Sequence, residues 1–296
     1  MLIILEGVDG AGKTTLAEEL AGRLDDNLSF KLMHSGPLKD DPLKEYEWRL
    51  RDYTPGTGQH VVCDRWHVGE LVYGPLYRGS SKLTEPMRKH VEMYLDRLGA
   101  HKVVVSAPIA TIQERLRLRG EDFLQDNHLG LVWDFYNEYA HQYGWGVAAS
   151  DELPDHIIMH ARRKESDASR LNPFHSYVGP VHPKHLLLGE TQGATRYGRP
   201  AYDSAFVPYP DTSGHYLLKA LGTTGVTDFG LANARDEDVS KLWHTLGRPN
   251  VVCLGQEAEK LSRDVPHQTV PHPSYVRRFR NGDLKEYGHQ IKELLR

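Results

Sequence analysis

The chain opens on Leu2-Ile3-Ile4-Leu5, four apolar residues without a polar break, the pattern of a strand buried on both faces of a parallel sheet. After Lys13 the period changes: Leu16, Leu20 and Leu24 recur at helical spacing. Strand-like runs return at 30–33, 60–63, 102–106 and 156–160. Helical stretches separate them. One covers 41–53, with Pro42 near its start and Pro55 past its end. Another covers 84–98, with Thr84 placed to cap and Gly99 to stop it, and two more cover 113–118 and 131–143. Alternating β and α segments predict an α/β fold, a parallel sheet with helices on both faces, over residues 1–165. Ligands of such sheets sit beyond the carboxyl ends of the strands.

The pattern breaks over 162–184, where a charged stretch (Arg162-Arg163-Lys164-Glu165-Ser166-Asp167) meets Asn172-Pro173 and the prolines Pro180 and Pro183. A linker over 166–184 is predicted there. A second, smaller α/β domain is expected over 185–296. Its strands are 186–189, 229–233 and 251–254, and its helices lie near 214–221, 236–246 and 256–263.

Composition adds exclusions. A formal net charge of −4 over 296 residues gives no global attraction to nucleic acid. Cys63 and Cys253, the two cysteines, fall in strand-like runs. They rule out a disulfide framework or a four-cysteine iron–sulfur cluster and suit a reducing compartment. His182 and His185 have metal-like spacing but no Cys or carboxylate cluster beside them, and read as surface or loop residues. No apolar run approaches ~18 residues, and the first strand begins too early to leave room for a signal peptide. The expectation is a protein of the cytoplasm of a bacterial or phage-infected cell, with no membrane partner.

The chemistry is densest at Gly7-Val8-Asp9-Gly10-Ala11-Gly12-Lys13-Thr14, which fits G-x-x-x-x-G-K-[ST] between a strand and a helix. Gly7, Gly10 and Gly12 let backbone N–H groups crowd round phosphate oxygens, with Thr15 in the following turn. Lys13 reaches the β- and γ-phosphates, and Thr14 with Asp64 is assigned to Mg²⁺. The expected ligands are ATP and Mg²⁺. Asp64-Arg65 ends the strand 60–63, where a guanidinium is placed for a bidentate phosphate contact. Arg115, Arg117 and Arg119 precede Gly120-Glu121-Asp122; Arg115 and Arg119 share a helix face, which favours an anion between them, and Gly120 suits a lid hinge.

Leu5-Glu6-Gly7-Val8-Asp9 with Gly12-Lys13-Thr14, and Asp64-Arg65, resemble motifs of the thymidylate kinase family over the first 165 or so residues. The resemblance implies transfer of the ATP γ-phosphoryl group to a deoxynucleotide. It implies that Asp9 touches the acceptor sugar or organises the metal and that Arg65 clamps the acceptor phosphate. With no arginine after Asp9 in the P-loop, it also places the catalytic charge on lid arginines, Arg115 and Arg119 among them. It further implies a homodimer. Where the family carries a Tyr-Gln-Gly type element, this chain has Tyr73-Gly74-Pro75 and Tyr77-Arg78-Gly79. These aromatics and Arg78 either contact a base or pack in a helix and turn.

In the second half Leu188-Gly189-Glu190-Thr191-Gln192-Gly193, Tyr197-Gly198-Arg199-Pro200, Leu231-Ala232-Asn233 and Pro271-His272-Pro273-Ser274 occur in an order that resembles the uracil-DNA glycosylase superfamily. The resemblance implies that Glu190 and Gly193 line a base pocket, Asn233 reads the pyrimidine edge and His272 sits against sugar and base. Two departures stand out: too few cysteines for that branch's cluster, and Ala201 where an aromatic is expected, with Tyr202 one place late. Arg277-Arg278-Phe279-Arg280 supplies local positive charge for a phosphate backbone, or a solvated helix end.

Four functional readings follow. The first is an ATP-dependent kinase of a pyrimidine deoxynucleotide, thymidylate or a modified deoxyuridylate. The second is a kinase of hydroxymethyluracil bases within phage DNA, with the second domain reading the base. The third joins the kinase to a DNA glycosylase, and the fourth is a nucleotide-dependent DNA-binding module without turnover.

Overall fold

The computed structural model describes residues 1–24, 30–34, 41–120, 126–149, 154–190, 205–206, 208, 212–279 and 283–295. It divides into two compact units, one of Met1–Leu83 with Leu98–Ser169, the other of Thr84–Arg97 with Arg170–Arg296.

The first unit carries five strands, β1 (Leu2–Glu6), β2 (Phe30–His34), β3 (His60–Asp64), β4 (His101–Ser106) and β5 (Gly146–Ala149). All neighbours pair parallel in the order β2-β3-β1-β4-β5. β1 lies in the middle and is buried along its whole length, as its apolar run predicts. Its alternate residues Ile3 and Leu5 join Leu16 and Leu20 of the helix Lys13–Leu24, with Val62, Val103 and Val105, in one core cluster. The helices Pro42–Leu50, Val68–Arg78, Ile109–Arg119 and Asp126–Tyr143 complete the crossovers.

Residues 156–160, expected as a strand, lie instead in the helix Pro154–Ala168. A short apolar run cannot separate the two states by itself. Pro154 opens the helix, and Ile157, Ile158 and Ala161 are all buried against the first core. Burial at successive positions fits a helix stripe and not the alternation of a strand. The fifth strand is Gly146–Ala149, too small and too exposed to announce itself. The same helix takes up the charged stretch 162–167.

The second unit carries β6 (His185–Gly189), β7 (Phe229–Asn233), β8 (Asn250–Leu254) and β9 (His267–Val270), all parallel in the order β7-β6-β8-β9. Both faces are covered: Leu187, Val252 and Leu254 enter one cluster, while Leu186, Leu188, Val251 and Cys253 enter another. The helix Glu85–Arg97 belongs to this unit, where Met93 is buried among Leu187, Leu217 and Phe229. Its end is tied down as Gly179 N–H donates to the Met93 carbonyl at 3.1 Å. Among the described residues, no helix is long and apolar enough to cross a membrane.

Gly7, directly after β1, has φ +139°, and a Cβ there would stand 2.3 Å from the Val105 carbonyl oxygen of β4. Gly7→Ala is expected to cost about 2–4 kcal/mol through backbone strain and forced displacement of the loop. Thermal unfolding of the variant measures it, and an unchanged melting profile would mean that the loop relaxes freely.

Candidate functional site

The carboxyl ends of β1 and β3 bring most of the motif residues of the first unit together. Lys13 is buried at the start of its helix, and its Nζ donates to the carbonyls of Gly7 (2.7 Å) and Val8 (2.8 Å), with Asp9 Oδ1 at 3.8 Å. Burial pulls the Lys13 ammonium down to about 8 against the attraction of Asp9; Arg65 adds to the drop, while Asp64 and Glu6 resist it. Thr14 Oγ1 donates to Asp64 Oδ2 at 2.8 Å. An exposed hydroxyl beside a buried carboxylate oxygen at the end of β3 is a donor set of the kind Mg²⁺ uses, with substrate phosphates and water completing the shell. Thr15 is exposed next to it.

Arg65 adopts φ +72°, a conformation uncommon for a residue with a side chain. Its N–H donates to Leu5 O at 2.8 Å, and its guanidinium is paired with Asp9. The turn aims Arg65 back over the loop that follows β1 instead of onward along the strand direction. Gly10 packs against the helix Ile109–Arg119, where a Cβ would meet Ile112 and Leu116 side chains at 3.3 Å. From that helix Arg115 Nη1 donates to Gly10 O at 3.1 Å. Arg117 is on an exposed face with Glu114 (2.8 Å), and Arg119 is exposed immediately before Gly120, whose φ of +66° closes the helix. Glu121 and Asp122 lie outside the described residues.

Glu6 received no role from the sequence. It is fully buried at the end of β1, and its Oε1 accepts N–H groups from Trp66 (2.8 Å), Val68 (2.8 Å) and Gly69 (3.3 Å). Tyr136 Oη donates to its Oε2 at 3.4 Å. The helix Val68–Arg78 has no side-chain cap of its own, so a carboxylate some sixty residues away supplies one. Burial raises the pKa of Glu6; His67 and the backbone donors work the other way. The signal available was a charged residue closing an otherwise apolar strand.

Along that helix Tyr73 and Tyr77 stack at 6.1 Å, with 13° between their rings. Burial, then the Asp9 charge, pushes the Tyr73 phenol up. Arg78 is directed to Glu70 Oε1 at 2.5 Å, which also accepts the Lys82 N–H at 2.8 Å. Of the two roles open to Arg78, this geometry is packing within a helix and turn.

In the second unit Glu190 follows β6, Asn233 ends β7 and His272 follows β9. A cavity of about 670 Å³ is lined by Glu190, Gly255, Glu257, Val270, His272 and Tyr275, among others. Ser274 N–H donates to His272 Nδ1 at 3.2 Å, so a neutral ring carries its proton on Nε2. Burial lowers the His272 pKa, opposed by Glu190. Glu190 pairs with Arg235 at 3.0 Å. Asn233 is buried, its backbone N–H donates to Ser176 Oγ (3.0 Å), and its Nδ2 has no hydrogen-bond partner among the described residues. Gly193, 197–202 and Arg280 lie outside the described residues.

No family model matches the chain. The SPbeta prophage-derived protein YorR of Bacillus subtilis (strain 168) is 32% identical over 171 residues, covering 53% of this chain and 97% of YorR. The crystal structure of B. subtilis YorR in complex with phosphorylated GDP is 26% identical, with a TM-score of 0.43 over 54% of this chain and 94% of that one. Polyphosphate kinase 2 from Arthrobacter aurescens TC1 is 16% identical, with a TM-score of 0.40 over 57% of this chain and 67% of that one.

The depressed Lys13 sets a pH dependence with two opposite signs. An unfolded lysine holds its proton to about 10.4, whereas folded Lys13 releases it near 8. Between those values the unfolded chain binds more protons, so this residue's contribution to stability rises with pH. Triphosphate affinity moves the other way, because phosphate contact needs the ammonium. It is expected to fall above pH 8 by up to about tenfold per unit, measured by titrating a fluorescent ATP analogue at pH 7, 8 and 9. A flat profile would show that Lys13 stays protonated throughout.

Proposed function

The chain belongs to the family of the B. subtilis YorR protein, and we propose that it is an ATP-dependent phosphotransferase whose acceptor is a pyrimidine deoxynucleotide, thymidylate or a modified deoxyuridylate. The observation that carries this reading is a donor set and an acceptor set at the carboxyl ends of adjacent parallel strands. Gly7–Lys13 follow β1, Asp64-Arg65 close β3, and Asp9 is paired with Arg65. A P-loop alone serves many triphosphate-binding proteins; a guanidinium turned back onto it by a left-handed residue suits a second phosphate.

In this reading Lys13 turns from the Gly7 and Val8 carbonyls to the β- and γ-phosphates. Arg65 orients the acceptor phosphate in line with the γ-phosphorus. Arg115, anchored near Gly10, adds positive charge where bonds to the transferring group loosen. Thr14 and Asp64 would hold Mg²⁺, which supplies charge neutralisation between phosphates when bound. Tyr73 and Tyr77 offer a stacking face for the acceptor base.

A second reading keeps the transfer but takes hydroxymethyluracil within DNA as acceptor. It is favoured by the cavity of the second unit, where the His272 imidazole and Glu190 meet at the carboxyl ends of parallel strands, the place a base reader would occupy. The resemblance of this unit to uracil-DNA glycosylases supports the same reading and a base-excising variant of it.

The test is γ-labelled ATP offered with thymidylate, hydroxymethyl-deoxyuridylate or hydroxymethyluracil-containing duplex DNA. A guanine nucleotide joins the panel because YorR was crystallised with phosphorylated GDP. Label on a pyrimidine monophosphate is the expected result; label on DNA alone replaces the first reading by the second. Lys13→Ala is expected to lower transfer by about 10²–10³-fold or more, and Arg65→Ala to raise the acceptor KM by about 10- to 100-fold. His272→Ala is expected to weaken binding of a pyrimidine-bearing single strand, measured by fluorescence anisotropy. Abasic sites left in uracil-containing DNA by the unaltered protein would establish excision.

A further inference from the structure

Arg65 and the residues after it are suspended from two consecutive residues of β1. Leu5 O accepts the Arg65 N–H at 2.8 Å, and Glu6 Oε1 accepts those of Trp66, Val68 and Gly69. Gly7, the first residue of the P-loop, comes next. The helix that begins at Val68 carries Tyr73 and Tyr77 and has no cap from His67. A single carboxylate oxygen therefore fixes where the acceptor-side helix starts, and does so from the strand that delivers the donor loop.

We propose that Glu6 is a positioning residue for the acceptor: its Oε1 sets the place of the segment that follows Arg65 and of the helix Val68–Arg78 relative to the P-loop. It touches no substrate and acts through the backbone it holds. This inference rests on the phosphotransferase reading for its kinetic consequence, though not for its structural one.

What matters is an acceptor atom at a fixed reach, and two substitutions separate reach from charge. Glu6→Gln keeps an oxygen at the same distance and loses the charge. Glu6→Asp keeps the charge and draws the oxygen back by one methylene, out of reach of the three N–H groups. If position is the function, Glu6→Asp raises the acceptor KM at least tenfold while Glu6→Gln stays within about threefold of the parent. ATP affinity stays within about twofold in both, because the P-loop does not depend on these bonds. Hydrogen exchange provides the readout without turnover: amides of 66–72 are expected to lose protection at least tenfold in Glu6→Asp, and those of the helix Lys13–Leu24 to keep theirs.

Equal acceptor KM and equal amide protection in the two variants would overturn the proposal. So would an ATP affinity that falls in step with the acceptor KM, which marks a general loss of structure. Should the parent protein transfer phosphate to no acceptor, the phosphotransferase reading fails while the exchange experiment still decides the role of Glu6.

Discussion

The segment that follows β3 hangs on a carboxyl group placed where water does not reach. Glu6 is fully buried at the end of the central strand, a position whose desolvation is costly unless hydrogen bonds replace the lost hydration. Three backbone donors and a tyrosine hydroxyl replace it. Those donors are the start of a helix without its own cap, so the same bonds relieve two deficits at once. A buried carboxylate needs donors, and a helix N-terminus needs an acceptor. The arrangement couples β1 to the segment after β3 more tightly than sheet pairing alone, and the loops that follow the two strands both leave from it.

The remaining charges obey a related economy. Lys13, Arg65 and Arg115 are each engaged with groups of the loop or its acid: two carbonyls, Asp9, and the Gly10 carbonyl. These bonds hold the three cations around one loop despite their mutual repulsion, which contributes to the lowered Lys13 pKa through Arg65. A phosphate group entering the loop offers stronger acceptors than carbonyl oxygens. Already gathered around the loop, the three cations need not be drawn in from solvent to meet such a group, so the ordering cost is met in folding.

How legible this was depended on the range of each interaction. The P-loop was legible because strand, glycines, lysine and helix are contiguous and each has a local signature. Four of the five strands of the α/β core followed from alternation, while Gly146–Ala149 left no such signal. The strand expected at 156–160 failed because four or five apolar residues satisfy a strand and a helix equally, and only packing of Ile157, Ile158 and Ala161 on the core decides. Glu6 could be seen as an oddity but not understood, since its partners lie sixty and more residues away. The helix Glu85–Arg97 shows the same limit: its period was readable, while its place beside Leu187 and Phe229 is a tertiary fact. Arg78 was open between base contact and packing, and only the position of Glu70 closed it.

With Arg78 directed to Glu70, the helix Val68–Arg78 presents to a base chiefly the stacked rings of Tyr73 and Tyr77. Stacking tolerates any base, whereas discrimination comes from groups that pair with base edges and are left unpaired by the wrong one. The second unit has groups of that kind: a neutral His272 with its proton on Nε2 at a cavity, and a buried Asn233 amide nitrogen lacking a partner among the described residues. A buried amide donor without a partner costs on the order of 1–3 kcal/mol, a cost that a ligand carbonyl can relieve. Polar groups able to pair with a ligand edge are thus richer in the second unit than along the helix that follows Arg65.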